Sequence, residues 1–473
     1  MQTKLFLKLL LISFIAVISS KMSIGQQKAN FIEGSWLGTI KTQGIELRVI
    51  FNFTKDGDTG FKSTLDSPDQ GAKGIPLGKT TLDSNKLKID APALAASYVG
   101  IMLNDTTING TWTQGGKSLP LLIVKQKKAL VLNRPQEPKS PFPYNVEEVT
   151  VPNKQFGFNL GGTLTLPKGE GPFPAVVLIT GSGQQNRNEE IFGHKPFWVI
   201  ADYLTKRGFA VLRCDDRGVG KSKGNLENVT SYDFSTDALA SVDFLKGDKR
   251  IDSKKIGLIG HSEGGLIAWI LAAENKDIAF IISLAGPGVK GEDVLFEQSK
   301  LISKLMGTPD KEINSETEVN KIIYKILENE NDNAKVQQKI TKSVKTYLAK
   351  KNEKDIDQKV EAIDKSLSPK AYSWLRFFLK SDPSKYLKKI KCPVLALNGS
   401  KDVQVIAKSN LPAIEKSLKK SGNKDVTITE VKDVNHLFQH CATGLPTEYG
   451  KIEETFSEEV LNTMGDWLSK RFL

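Results

Sequence analysis

One pentapeptide constrains this chain more than any other feature. Gly260-His-Ser-Glu-Gly264 stands between an apolar run, Ile256-Gly-Leu-Ile259, and a run of helical composition, Leu266-Ile-Ala-Trp-Ile-Leu-Ala272. The pattern Gly-x-Ser-x-Gly between a strand and a helix predicts a sharp reversal of the chain at Ser262. Such a turn holds the serine in strained φ/ψ, and glycines two residues to either side leave room for neighbouring backbone. It lifts the hydroxyl above the C-terminal edge of a sheet, and the following helix points its N-terminal amides at the same place. The bare pattern arises often by chance. The strand before it and the helix after it give this copy its meaning.

A serine hydroxyl is a poor nucleophile unless a base accepts its proton. The chain has four histidines, His194, His261, His436 and His440. His261 lies inside the turn and is expected to point away from Ser262. His194 precedes the first helix of the later sheet. His436 follows the last predicted strand, Val426–Val431, at the sheet edge that carries Ser262, so it is the expected base, with His440 as the competitor. The acid is expected after the preceding strand, Pro393–Asn398, and the loop there contains Asp402. Asp433 is nearer His436 in sequence but belongs to a strand end. The chain order Ser262, Asp402, His436 is the order such a site requires. Asp402 would accept the Nδ1 proton of His436 and stabilise the imidazolium. A tetrahedral oxyanion would need backbone donors: the Glu263 amide, and one from the loop Thr180-Gly-Ser-Gly183, where Ser182 is the expected donor and Gly183 its substitute.

The surrounding pattern predicts an α/β fold. From Ala175-Val-Val-Leu-Ile179 onward, apolar strands alternate with helices, which implies a mostly parallel sheet covered on both faces. Between residues 291 and 387 the alternation stops. Helical spacings such as Val319/Ile322/Ile323/Ile326/Leu327 predict an inserted helical cap between the sixth and seventh strands. Residues 26–137 read as a small all-β domain, a barrel or sandwich. Leu47, Val49, Phe51 and Phe53 alternate, and turn clusters such as Lys55-Asp-Gly-Asp-Thr-Gly60 separate the runs. Gly34-Ser-Trp36 and Gly110-Thr-Trp112 repeat a Gly-x-Trp pattern whose tryptophans are expected as core plugs. Residues 138–144 read as a stiff proline-rich linker, which leaves 145–473 for the α/β domain.

Residues 1–25 read as an export signal. Lys4 supplies a positive start, Leu9–Ile18 an apolar run, and Ser23 and Gly25 the small residues before a cut at Gln26. That run is too short to span a bilayer comfortably, and no later segment is apolar enough to do so. A periplasmic or secreted location follows as the expectation. The formal charge of +12 comes from lysines scattered among acidic residues, and no nucleic-acid motif accompanies them. Three cysteines, Cys214, Cys392 and Cys441, make neither a disulfide framework nor a clustered metal site. Gly218-Val-Gly-Lys-Ser222 fails as a phosphate loop because position 215 is Asp. No metal or organic cofactor is expected.

Four stretches carry a family resemblance: Gly181-Ser-Gly-Gln-Gln-Asn-Arg187, Asp215-Asp-Arg-Gly-Val-Gly-Lys-Ser222, Gly260-His-Ser-Glu-Gly-Gly265 and Asn435-His-Leu-Phe-Gln439. In their order and spacing the later two-thirds of the chain resembles bacterial α/β-hydrolases of the carboxylesterase and serine-aminopeptidase-like group. The front domain resembles lipocalin-like modules attached to some of them. The resemblance implies hydrolysis of small carboxylic esters through an acyl-enzyme at Ser262, and a bracing role for Arg217 against a carboxylate. Two other readings stand beside it. One is a peptidase acting on short peptides, with Glu263 as one candidate anchor for a free amine. The other is an exported ligand-binding protein that uses its β domain.

Overall fold

The computed structural model describes residues 32–42, 45–56, 60–114, 117–127 and 132–473. The expected export signal lies outside these residues. No helix among the described residues is long and apolar enough to cross a membrane. The chain forms two compact units that divide between Asn133 and Arg134.

In the first unit nine strands, β1 (Gly34–Thr42), β2 (Ile45–Asp56), β3 (Gly60–Ser67), β4 (Ala72–Pro76), β5 (Thr80–Asp83), β6 (Lys86–Ala91), β7 (Ala96–Asn104), β8 (Thr107–Gln114) and β9 (Lys117–Lys125), make one sheet. Its order is β4-β3-β2-β1-β9-β8-β7-β6-β5, and the pairings are antiparallel. This is one curled half-barrel and not the two packed sheets of a sandwich. Alternation puts one side of each strand inside. Val49, Phe51 and Phe53 are buried as their spacing predicts, and so are Trp36 and Trp112. Phe51 packs against Tyr98 and Trp112 with ring centroids 5.4 and 6.0 Å apart. Trp36 donates its indole N–H to the Ile32 carbonyl at 2.7 Å. Packed aromatic side chains thus occupy the interior. The turn at Asp66–Gly71 braces the sheet, because Asp69 is buried and takes the Arg48 guanidinium through both carboxylate oxygens.

The second unit begins at Arg134, earlier than a boundary at 137 and a linker over 138–144 predict. The proline-rich stretch is packed in place. The Arg134 guanidinium donates to the carbonyls of Phe192, Gly193, Gly450 and Ile452. Gln136 bonds Thr455 and Phe456, and the Tyr144 hydroxyl donates to Asp202 at 2.8 Å. Eight strands follow: β10 (Asn145–Asn153), β11 (Phe158–Leu166), β12 (Phe173–Ile179), β13 (Ala210–Cys214), β14 (Ile251–His261), β15 (Ile281–Leu284), β16 (Val394–Gly399) and β17 (Val426–Val431). Their order is β10-β11-β13-β12-β14-β15-β16-β17. β11 is antiparallel to both its neighbours, and β12 to β17 are parallel.

The sheet is buried on both faces, which is why its central strands are continuous apolar runs. Along β12, Ala175, Val177 and Ile179 face one core, with the helices Ser231–Lys246, Glu263–Glu274 and Ala407–Lys420. Val176 and Leu178 face the other, with the helices Pro196–Lys206 and Glu458–Phe472. Each fully buried Val, Leu or Ile contributes about 1.5–3 kcal/mol, so this central sheet is a firm platform for whatever stands on its edge.

Between β15 and β16 lie the helices Gly291–Leu305, Asp310–Asn329, Asn333–Lys350, Ile356–Ser366, Tyr372–Lys380 and Ser384–Leu387. Val319, Ile323 and Leu327 meet Val336, Ile340, Val344 and Leu348 in a core of their own. Spacings of three and four residues place these side chains on single helix faces, so the insertion is a helical layer with its own packing.

Candidate active site

β14 ends at His261, the next helix starts at Glu263, and Ser262 makes the turn with φ +53° and ψ −119°. Such a conformation costs a non-glycine residue energy and persists only where its surroundings enforce it. Here the Ser262 amide donates to the Leu284 carbonyl at 2.8 Å, which pins the turn to β15. The flanking glycines are obligatory. A Cβ on Gly260 would stand 2.1 Å from the Gly264 carbonyl oxygen, and one on Gly264 would stand 2.1 Å from that of Ile179.

β16 and β17 supply the other two groups. Asp402 and His436 are both buried. The Asp402 Oδ2 atom lies 2.8 Å from His436 Nδ1. Its Oδ1 accepts the amides of Gln404 and Val405 at 2.8 and 2.9 Å. The carboxylate is thereby held in one orientation and satisfied on both oxygens. The His436 loop is closed by Asn435, whose Oδ1 accepts the amides of Leu437 and Gln439. The two competitors stand elsewhere. Asp433 pairs with Lys401 at 3.1 Å, and His440 is exposed and bonded to Glu454. His194 is buried and held by Thr455 and the Tyr449 carbonyl. Burial, helped by the Arg134 charge, pulls its pKa down to about 4.

The residue before the serine, His261, lies against His436. The His261 ring lies 4.8 Å, centroid to centroid, from the His436 ring. The Ser262 hydroxyl itself makes no hydrogen bond among the described residues. The His261 side chain bridges two other groups. Its Nδ1 lies 2.9 Å from Glu189 Oε1 and its Nε2 lies 2.9 Å from the His436 carbonyl oxygen. Burial lowers the His261 pKa, but the Glu189 carboxylate, the His436 carbonyl and Asp402 outweigh it, and the net shift is upward.

The loop after β12 faces the turn. Gly181 donates its amide to Glu189 Oε1 at 2.7 Å, so that donor is occupied. The amides of Ser182 and Gly183 bond to nothing among the described residues. The Glu263 amide opens its helix and has no acceptor within it. The Glu263 side chain is engaged elsewhere, since its Oε1 accepts the hydroxyl of Ser231 at 2.6 Å and the indole N–H of Trp374 at 2.7 Å. A cavity of about 50 Å³ borders Gly181, Gly183, Asp216, Phe234 and Glu263. Below it Arg217 donates to Asp237 at 2.7 Å and lies over the rings of Phe156, Phe158 and Phe234, the brace its motif suggested.

Residues 157–431, from the strand β11 to the end of β17, match the X-Pro dipeptidyl-peptidase (S15) family. The chain belongs to that family. Among individual relatives, Esterase EstD of Thermotoga maritima is 28% identical over 314 residues, which are 66% of this chain and 66% of that protein. Protein PA2218 of Pseudomonas aeruginosa is 27% identical over 158 residues, 33% of this chain and 38% of its own. The chain thus spans about two-thirds of the first relative and well under half of the second. Among solved structures, the Pyrococcus furiosus esterase Pf2001 aligns at 18% identity with a TM-score of 0.43, over 73% of this chain and 100% of that one.

Within this S15 chain, three contributors near the turn escaped the sequence reading: Glu189, Trp374 as a partner of Glu263, and Ser231. Glu189 sits in a loop whose composition, Asn186-Arg-Asn-Glu-Glu190, gives no local sign that one carboxylate is buried and its neighbour exposed. Trp374 sits 111 residues from its acceptor, on an inserted element, where no periodicity points to a specific partner.

Proposed function

We propose that this S15-family protein is a serine esterase that hydrolyses carboxylic esters through an acyl-enzyme. Ser262 attacks the ester carbonyl, and His436 takes the hydroxyl proton and later returns one to the leaving alcohol. Asp402 fixes the histidine tautomer and stabilises its imidazolium. The amides of Glu263 and of Ser182, or Gly183 beside it, receive the oxyanion. Water then attacks the acyl-enzyme with His436 again as base. The observation that carries the reading is the buried Asp402–His436 contact of 2.8 Å at the sheet edge where Ser262 stands at φ +53°. Bonds between nucleophile and base often tighten only when substrate is bound, and the free Ser262 hydroxyl fits that behaviour.

The family match favours a second reading, a peptidase. A peptidase that selects a free amino terminus needs a carboxylate to receive the ammonium. Glu263 is poorly placed for this because its Oε1 already holds two donors. The name of the Thermotoga relative also favours an ester substrate. A panel of aryl esters of increasing acyl length, run beside aminoacyl and X-Pro aryl amides, separates the two. The esterase reading expects ester turnover to exceed amide turnover and both to vanish in Ser262→Ala. Faster turnover of the X-Pro amides would replace it with the peptidase reading.

Export is part of the proposal. Residues 1–25 have the charged start, apolar run and small-residue cut of a secretory signal. N-terminal sequencing of the protein from a bacterial periplasm tests it, with Gln26 as the expected first residue.

A further inference from the structure

The buried Glu189–His261 pair lies outside the three residues assigned to the chemistry, and its hydrogen-bond arithmetic is informative. His261 Nε2 faces the His436 carbonyl at 2.9 Å. A carbonyl only accepts, so Nε2 carries a proton. His261 Nδ1 faces Glu189 Oε1 at 2.9 Å, and that same oxygen already accepts the Gly181 amide at 2.7 Å. An ionised carboxylate oxygen takes two donors readily, whereas a protonated one takes the amide poorly. The proton between Nδ1 and Oε1 therefore sits on the ring. The ring is then an imidazolium whose charge is balanced by Glu189. Both residues are buried, at 6% and 3% exposure, where such a contact is stronger than in water. The other titratable groups that bear on the pair are His436, whose tilted ring lies 4.8 Å from that of His261, Asp402 behind it, and Asp216 near Glu189.

The pair touches three separate parts of the chain. Glu189 holds the loop after β12 at Gly181, one residue before the proposed oxyanion donor. His261 belongs to the serine turn. Its Nε2 proton grips the backbone of His436 itself. Glu189 is moreover held at φ +51°, a conformation that L residues seldom adopt. We propose that Glu189 and His261 are positioning residues, a charged clamp that sets the His436 loop and the oxyanion loop in register with Ser262. The clamp depends on the esterase reading for its kinetic consequence but not for its protonation state.

Glu189→Gln is the decisive variant. It is isosteric and uncharged. Its amide oxygen can accept the Gly181 amide only by leaving an uncompensated imidazolium, and its amide nitrogen would meet the Gly181 N–H head-on. A loss of alignment near 1 Å costs on the order of 10²-fold in rate. The clamp therefore expects Glu189→Gln and His261→Gln each to lower kcat for an aryl ester by about 10- to 100-fold, with KM little changed. The double variant should be no worse than the poorer single one, because either substitution opens the same clamp. Independently of activity, nitrogen-15 spectra of histidine-labelled wild-type protein at about pH 8, above the ordinary histidine range, should show one buried imidazole with both nitrogens protonated, absent in His261→Gln. A neutral His261 ring under these conditions overturns the proposal even if the variants fail to fold. So does a Glu189→Gln protein with unchanged kcat, or losses that simply multiply in the double variant. If wild-type protein shows the imidazolium but no fluorophosphonate labelling at Ser262, the esterase reading fails and the ion pair stands as a structural feature alone.

Discussion

Trp374, on an inserted cap helix, donates its indole N–H at 2.7 Å to the carboxylate of Glu263, the residue that follows Ser262. The cap is therefore bonded directly to the start of the helix whose first amide is a proposed oxyanion donor. The Trp374 ring also stacks on Phe378, with centroids 5.5 Å apart and planes 17° apart. One side chain thus couples the packing of the cap to the geometry of the turn.

Trp374→Phe keeps the stacking and removes the N–H. It leaves Ser231 as the remaining side-chain donor to Glu263 Oε1. Loss of one partner to a buried carboxylate costs about 1–3 kcal/mol. The expected outcome is a several-fold fall in kcat/KM, larger for bulky esters than for acetate, with a modest fall in Tm. Unchanged kcat/KM across an ester panel would show that the cap bond does not reach the chemistry.

Asp402→Asn preserves the acceptor for the Gln404 and Val405 amides through its remaining oxygen but presents an NH2 to His436. The imidazole is then held with its proton on the nitrogen that must face Ser262. In a Ser-His-Asp site this tautomer error lowers kcat by about 10⁴-fold without loss of fold. Steady-state ester hydrolysis measures it, with circular dichroism as the control. A variant within about tenfold of wild type, far short of that loss, would move the acid role away from Asp402.

Asp216 gives a pH signature. Burial raises its carboxyl to about 7 from an ordinary 3.8, partly opposed by the Thr180 hydroxyl and the Gln185 amide and reinforced by the nearby Glu189 and Asp237 charges. An acid with a raised folded-state value holds its proton more tightly when folded. Its stabilising contribution is full below its ordinary value and is lost as the pH climbs through about 7. Asp216→Asn cannot ionise, and its amide can donate to Thr180 while its oxygen accepts from Gln185. The variant should gain about 2–3 kcal/mol on wild type between about pH 5 and pH 8. Urea melts at the two pH values check it, and a constant difference between the proteins would contradict the shift.

The parts of the proposed site that follow from strand order were legible. Ser262 lies between an apolar run and a helix, Asp402 after the next-to-last strand and His436 after the last, and a parallel sheet brings such loops to one edge. That logic also separated Asp402 from Asp433, whose partner is Lys401. What escaped depends on long-range bonds with no local pattern. Residues 138–144 read as a linker by composition, yet Arg134 and Gln136 just before them bond the backbone of residues 318 and 320 positions away, and Tyr144 within them bonds Asp202. Glu189 looks like any loop glutamate until the fold buries it against His261. In the first unit, alternation located the buried aromatics, but nine short strands fit a sandwich or a barrel equally well. Only pairing, with β1 joining β9, makes them one half-barrel.

The most direct test is the intact mass of the protein after reaction with a fluorophosphonate, wild type beside Ser262→Ala. Covalent addition of a single phosphonyl group to wild type, mapped to the peptide that contains Ser262 and absent from the variant, is the predicted result. Unmodified wild-type protein, or an adduct that persists in Ser262→Ala, would contradict the assignment of this serine as the nucleophile.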